Sequence, residues 1–117
     1  MNLIFPALVF YTDNLPENKA GVANAFVIRI RPKYKTDKGL LQHELVHVKQ
    51  WFRTFTLHSP LYMFSKSYRL KAEVEAYREQ LKYYEDDRTE MFAGFVCYDY
   101  DLNVDKNTVI GMLKNGS

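Results

Sequence analysis

The sequence predicts an α+β fold in a single domain. At 117 residues the chain has the length of one domain. A chain of this size buries about two thirds of the surface its unfolded state exposes, enough for one core without disulfides. Its N-terminal part carries strand signals, an apolar run and a period-two alternation, whereas the remainder carries helical periodicity cut by breakers.

In chain order, "IFPALVFY" (4–11) is a short apolar run and reads as a strand. "TDNLPENKAG" (12–21) contains Asn, Pro and Gly and reads as a loop. "NAFVIRIRP" (24–32) sets Phe26, Ile28 and Ile30 against Val27, Arg29 and Arg31, as in a strand with one drier face. Pro32 marks this as an edge strand or a strand end. Thr36 or Asp37 caps a helix expected over 37–54, and "TFTLHSP" (54–60) breaks the pattern. One long helix is expected over 61–86 and another over 88–98. "DYDLNVD" (99–105) makes a turn in which Asp105 can cap a last short helix over 106–114. The tail "KNGS" is expected to fray.

Composition excludes several function classes. With 47% hydrophobic and 26% charged residues the chain is globular, and 15% aromatics predict an aromatic-rich core and aromatic site walls. A net charge of +2 from mixed signs gives no footprint for nucleic acid. Arg29, Arg31, Lys33, Lys35 and Lys38 form a local basic cluster that reads as a solvated loop and strand edge. Cys97 is the one cysteine, so there is neither an intramolecular disulfide nor a cysteine cluster for zinc. It reads as a small buried apolar residue. "MNLIFPALVFYT" lacks a basic leader and is interrupted by Pro6, so it reads as a strand rather than a signal peptide. No segment approaches a membrane span. Together these features predict a soluble, cytoplasmic protein with no nucleic-acid and no membrane partner, and they leave the oligomeric state open.

The chemistry is concentrated in "LLQHELVHVKQW" (40–51). On a helix, residues four apart stand one turn above each other, about 6 Å along the axis. His43 and His47 can therefore converge on one zinc ion. Glu44, offset on the same side, can sit over a water that the metal has made acidic and take its proton. At about 100° per residue, His43, Glu44, His47 and Trp51 share one stripe beside an apolar stripe of Leu41, Leu45, Val48 and Phe52. Gln42 and Lys49 lie opposite. The five-residue pattern alone also occurs on plain polar helices. Two neutral imidazoles and a carboxylate beside a buried stripe, however, are costly without a partner, and a metal supplies one.

Catalytic zinc usually takes three protein ligands. A third histidine close downstream would need His at 53 and Gly at 50, where this chain has Arg53 and Gln50. His58 lies in "TLHSP" and reads as surface. In "RLKAEVEAYREQ" the stripe Leu70, Val74, Tyr77, Leu81 and Tyr84 is the buried one. Glu73 falls on its edge and Glu75 faces away, so Glu73 is the expected third ligand. The alternative for Glu73 is an ion pair with Arg69 or another cation.

"HELVH", followed on a later helix by Glu73 and then Ala76, resembles the gluzincin metallopeptidases, whose ligand helix often reads Glu-x-x-Ala-Asp. Tyr77 stands at the last position, so the hydrogen-bond partner of a zinc histidine is either its hydroxyl or another residue. "NAF" (24–26) is similar to the rim strand of those enzymes, in which the Asn side chain and the Ala backbone hold an extended peptide. Asn24 and Ala25 are thereby implied substrate-binding residues on an edge strand. The size resembles the minigluzincins, some of which are latent, and residues 91–117 are the segment that would obstruct the cleft.

The resemblance implies a small zincin-like fold, with an edge strand packed on the active-site helix and a second, ligand-bearing helix. It implies one Zn2+ per chain, held by His43, His47 and Glu73, with Glu44 as general base in the hydrolysis of a peptide or protein substrate. A Tyr or His would stabilise the oxyanion; Tyr77, Tyr83, Tyr84, Tyr98 and Tyr100 are the candidates. The alternative is a catalytically inactive interaction module on the same scaffold.

Overall fold

Pro6 cannot donate to a sheet ladder, and the apolar run that contains it does not continue as one strand. In the computed structural model, which describes residues 2–55 and 57–116, the run folds back on itself. Strands β1 (Asn2–Ile4) and β2 (Ala7–Tyr11) pair antiparallel, with Ile4 opposite Ala7 across the Phe5–Pro6 turn. The second expected strand is likewise a hairpin. β3 (Gly21–Asn24) and β4 (Val27–Ile30) pair antiparallel, with Asn24 opposite Val27. Ala25 occupies the turn between them at φ 54. Asn24, Ala25 and Phe26 therefore do not lie along one edge strand, as the alternation suggested. Asn24 ends β3, and the other two residues form the reversal. What was expected of Met1, Thr56 and Ser117 lies outside the described residues.

β2 runs parallel to β4, giving a mixed four-stranded sheet in the order β1-β2-β4-β3 with β3 on the edge. The parallel crossover requires the long loop 12–20, and Arg31 holds that loop. Its Nε donates to the Lys19 carbonyl at 2.7 Å and its Nη2 to the Pro16 carbonyl at 2.7 Å. Arg31 is thus a clamp rather than part of a solvated basic cluster.

Five helices follow the strands. α1 (Lys38–Arg53) is capped by Asp37, whose carboxylate accepts from the Leu40 amide at 3.0 Å. The helix expected over 61–86 is two helices, α2 (His58–Phe64) and α3 (Lys66–Leu81). They are separated by Ser65, which is extended at φ −119, ψ 106 and caps α3 by accepting from the Tyr68 amide at 3.1 Å. α4 (Thr89–Asp99) and α5 (Lys106–Asn115) complete the chain, with Asp105 capping α5. The tail is helical through Asn115 and closes at Gly116, whose φ of 87 suits a residue without a side chain.

Two apolar clusters enclose the centre of the domain. Ala7, Val9, Ile28 and Ile30 of the sheet pack on Leu40, Leu45 and Val48 of α1. Val74 and Tyr77 of α3 pack with Phe92, Ala93 and Val96 of α4 and Leu102, Val109 and Leu113 around α5. One flank of α1 is therefore committed to the sheet while its other flank meets α3. No described helix is long and apolar enough to cross a membrane.

Candidate metal centre

Because Leu40, Leu45 and Val48 anchor α1 to the sheet, the histidine stripe one step round the helix turns toward α3. Glu73 meets it there. One Glu73 carboxylate oxygen lies 3.3 Å from His43 Nε2, and the other lies 3.2 Å from His47 Nε2. His43, Glu44, His47 and Glu73 are 3%, 5%, 7% and 2% exposed, so bulk water solvates none of them. Donor atoms of His43, Glu44 and His47 lie within 4.8 Å of one another, and this buried group can hold a metal ion. Glu44 faces the sheet edge. Its Oε2 is 3.4 Å from where a Cβ on Gly21 would stand, so the missing side chain at Gly21 leaves room for this carboxylate beside β3.

Burial opposes charge on His47, but the facing Glu73 carboxylate outweighs it and holds the imidazole up at about 9. Burial likewise opposes ionisation of Glu73, yet His47 and His43 hold that carboxyl well below its ordinary range. Burial pushes the Glu44 carboxyl up, against the lowering effect of His43 and His47. One carboxylate is thus held as an anion between two imidazoles, and burial makes the other a stronger base than an exposed carboxylate.

Of the two possible partners for a histidine, the Tyr77 hydroxyl or another residue, the structure gives another residue. Tyr77 places its ring edge-on to His43 at 4.2 Å, and its hydroxyl pairs with that of Tyr100 at 2.8 Å. Among the described residues His43 Nδ1 has no hydrogen-bond partner. His47 Nδ1 lies 2.8 Å from Gln50 Oε1. The Gln50 amide nitrogen in turn donates to the Ala72 carbonyl at 3.1 Å and to Glu75 at 2.8 Å, and Arg53 closes the chain by donating to Glu75 at 2.7 Å. Gln50 and Arg53, which count against a third histidine, together position the second one.

His58 does not lie on the surface. It is 9% exposed at the start of α2, its Nδ1 is 2.7 Å from the Tyr68 hydroxyl, and its ring centre is 5.9 Å from that of His47. Burial and the neighbouring His47 push it down to about 4, so it is a neutral wall of the site at physiological pH. Tyr62, one turn along α2, donates its hydroxyl to Glu73. Neither residue belongs to a recognisable spacing. The usable signal is the pairing of His58 and Tyr62 four apart in "HSPLY", which becomes visible only once 58–64 is taken as a helix.

A cavity of about 290 Å³ opens onto the centre between β3 and α2, walled by Gly21, Ala23, Asn24, His58, Tyr62 and Tyr100. Asn24 reaches this wall, although its Oδ1 already accepts from Arg29 at 3.1 Å, whereas Ala25 does not line it. A second cavity of about 410 Å³ lies on the other side of His43 and Glu44, with Tyr34, Tyr84 and Phe95 in its walls. Lys19, Gly21 and Tyr100 belong to both walls, and Lys19 Nζ sits 4.0 Å above the Tyr100 ring.

No protein-family model, curated protein or solved structure matches this chain. The centre is therefore read from its own geometry.

Proposed function

We propose that the chain is a small zinc-dependent peptidase of gluzincin type on a zincin-like fold. The observation that carries this is the spacing of the donors. A tetrahedral zinc with bonds of about 2.0–2.1 Å needs donor atoms about 3.3 Å apart. A single Glu73 oxygen, Oε1, stands 3.3 Å from each of the two histidine Nε2 atoms. His43, His47 and Glu73 fit the ion as ligands, which leaves Glu44 beside β3 unligated.

Bound zinc would polarise a substrate carbonyl and acidify water. Glu44, with its raised pKa, accepts the proton from the attacking water and delivers it to the departing amine. The free edge of β3, antiparallel to β4 and lining the cavity, suits an extended peptide added as a further strand. Tyr100 and Tyr62 both wall this cavity; the Tyr62 hydroxyl is committed to Glu73, whereas that of Tyr100 pairs with Tyr77. Tyr62, by donating to Glu73, fixes the ligand's orientation.

The Lys19–Tyr100 contact stands between the two cavities and favours a latent form of this peptidase; the second reading is a catalytically inactive module on the same scaffold. A cation–π contact contributes about 0.5–2 kcal/mol, so its removal would raise cleavage by about thirtyfold at most. The function is tested with zinc-loaded protein on a pool of denatured substrates. Cleavage by wild type that falls about 10²–10⁴-fold in Glu44→Gln supports the peptidase. Zinc-loaded wild type and Lys19→Ala that both cleave nothing would leave only the module.

A further inference from the structure

Apolar side chains crowd the outer surface where α1 turns into α2. Phe55 is 88% exposed, Phe64 84%, Met63 66%, Leu57 58% and Phe52 48%. Helix α2 is inverted relative to an ordinary surface helix. His58 and Tyr62, four apart, face the metal centre, while Leu57, Leu61 and Phe64, at i, i+4 and i+7, face out. Phe55 also holds a left-handed backbone at φ 52, a strained conformation for a bulky residue, and its ring gains almost no packing within the chain.

The chain segment that builds this corner is basic. From Leu45 to Ala72 the chain carries Lys49, Arg53, Lys66, Arg69 and Lys71 and no Asp or Glu. Arg53 is engaged by Glu75, and Arg69 straps α2 to α3 by donating to the carbonyls of Tyr62 and Asp101. Among the described residues Lys49, Lys66 and Lys71 enter no ion pair. Lys49 lies one turn before Phe52 on α1, and Lys66 follows Phe64 by two residues.

We propose that the α1–α2 corner docks on the surface of a bilayer containing anionic lipid. The phenylalanine and leucine side chains project from a convex corner rather than lining a groove, which suits a yielding apolar medium. The lysines beside them meet lipid phosphates, the combination found in interfacial helices. Nucleic acid would match the lysines but not Leu57 and Met63, and protein interfaces are depleted in lysine. Peripheral docking needs no membrane span, so the lack of one in the sequence does not oppose it. The inference does not rest on the metal. The inner face of α2 walls the cavity, so docking places one wall of the cavity beside the membrane surface.

The test is flotation of the full chain with vesicles of phosphatidylcholine alone or mixed with phosphatidylglycerol. Each lysine near an anionic surface is worth roughly a factor of five, so three predict binding about a hundredfold tighter to the mixed vesicles. Phe55→Ser/Phe64→Ser should lose binding to both, with an unchanged far-ultraviolet spectrum. Lys49→Glu/Lys66→Glu should lose the preference for the mixed vesicles, and decides alone if the first variant does not fold. Wild type that ignores mixed vesicles, or binding that survives the first variant in folded form, overturns the proposal. So does concentration-dependent self-association that Phe55→Ser/Phe64→Ser abolishes without any vesicle binding, since the face would then belong to a second copy of the chain.

Discussion

His47 Nδ1 lies 2.8 Å from Gln50 Oε1, an interaction between two residues of the same helix turn. Gln50 is itself fixed by the Ala72 carbonyl and by Glu75 on α3, so the orientation of the imidazole is set by helix α3 as well as by α1. Gln50→Leu should weaken zinc binding by about 10–100-fold, as loss of an outer partner typically does. It should also cost about 1–3 kcal/mol of stability, because His47 Nδ1 is left buried without its partner. Glu75→Ala should do less on both counts, since Gln50 keeps its bond to the Ala72 carbonyl. A zinc-competition titration and chemical denaturation of the three proteins measure both effects.

Metal and proton compete at His47. With its pKa raised from 6.5 to about 9 by Glu73, His47 carries a proton at pH 7, whereas Glu73, held well below 4.5, does not. A ligating imidazole must be neutral, so zinc uptake at pH 7 should release about one proton, and uptake above pH 10 should release none from this residue. Calorimetric titration in buffers of different ionisation enthalpy counts the protons. The same shifts fix the stability profile of the His47–Glu73 ion pair. The raised His47 contributes fully below 6.5, and its contribution is lost as pH rises through about 9. The depressed Glu73 contributes fully above 4.5, and its contribution is lost as pH falls through its lowered value.

Gly39 illustrates packing overriding helix propensity. A Cβ there would stand 2.7 Å from the Tyr84 ring. The Tyr84 hydroxyl donates to the cap residue Asp37 at 2.7 Å and accepts from Gln80 at 2.8 Å, so the ring cannot withdraw without losing both bonds. Gly39→Ala should therefore destabilise by about 1 kcal/mol although alanine is the better helix former. In a Tyr84→Ala background the same change should stabilise. Thermal melts of the four proteins show whether the sign reverses.

Helical angle placed His43, His47 and Glu73 on facing stripes and set Glu75 aside, because those positions depend only on the 3.6-residue period and on burial. The structure brings the first three together, and Glu75 proves to be exposed but engaged with Gln50 and Arg53. The two-strand reading stopped short of the turns. Pro6 and Ala25 reverse the chain inside segments whose hydrophobic pattern is continuous, and nothing in the residue type of Ala25 announces a φ of 54. The break at Ser65 was hidden for a similar reason, since serine inside a helical pattern acts as a cap only where the backbone is already extended. His58 and Tyr62 were lost with it. Gln50 was legible only as a residue that is not glycine, because an amide orienting a histidine three positions back has no sequence signature.

A centre built from His43, His47 and Glu73 must hold zinc in stoichiometric amount. Protein purified, stripped with chelator, reloaded with zinc and desalted should hold one zinc per chain by elemental analysis. Glu44→Gln should hold the same amount, and Glu73→Ala should hold almost none while keeping its helical spectrum. A wild type that retains no zinc, or a Glu73→Ala protein that retains it as well as Glu44→Gln does, would contradict a centre built from His43, His47 and Glu73.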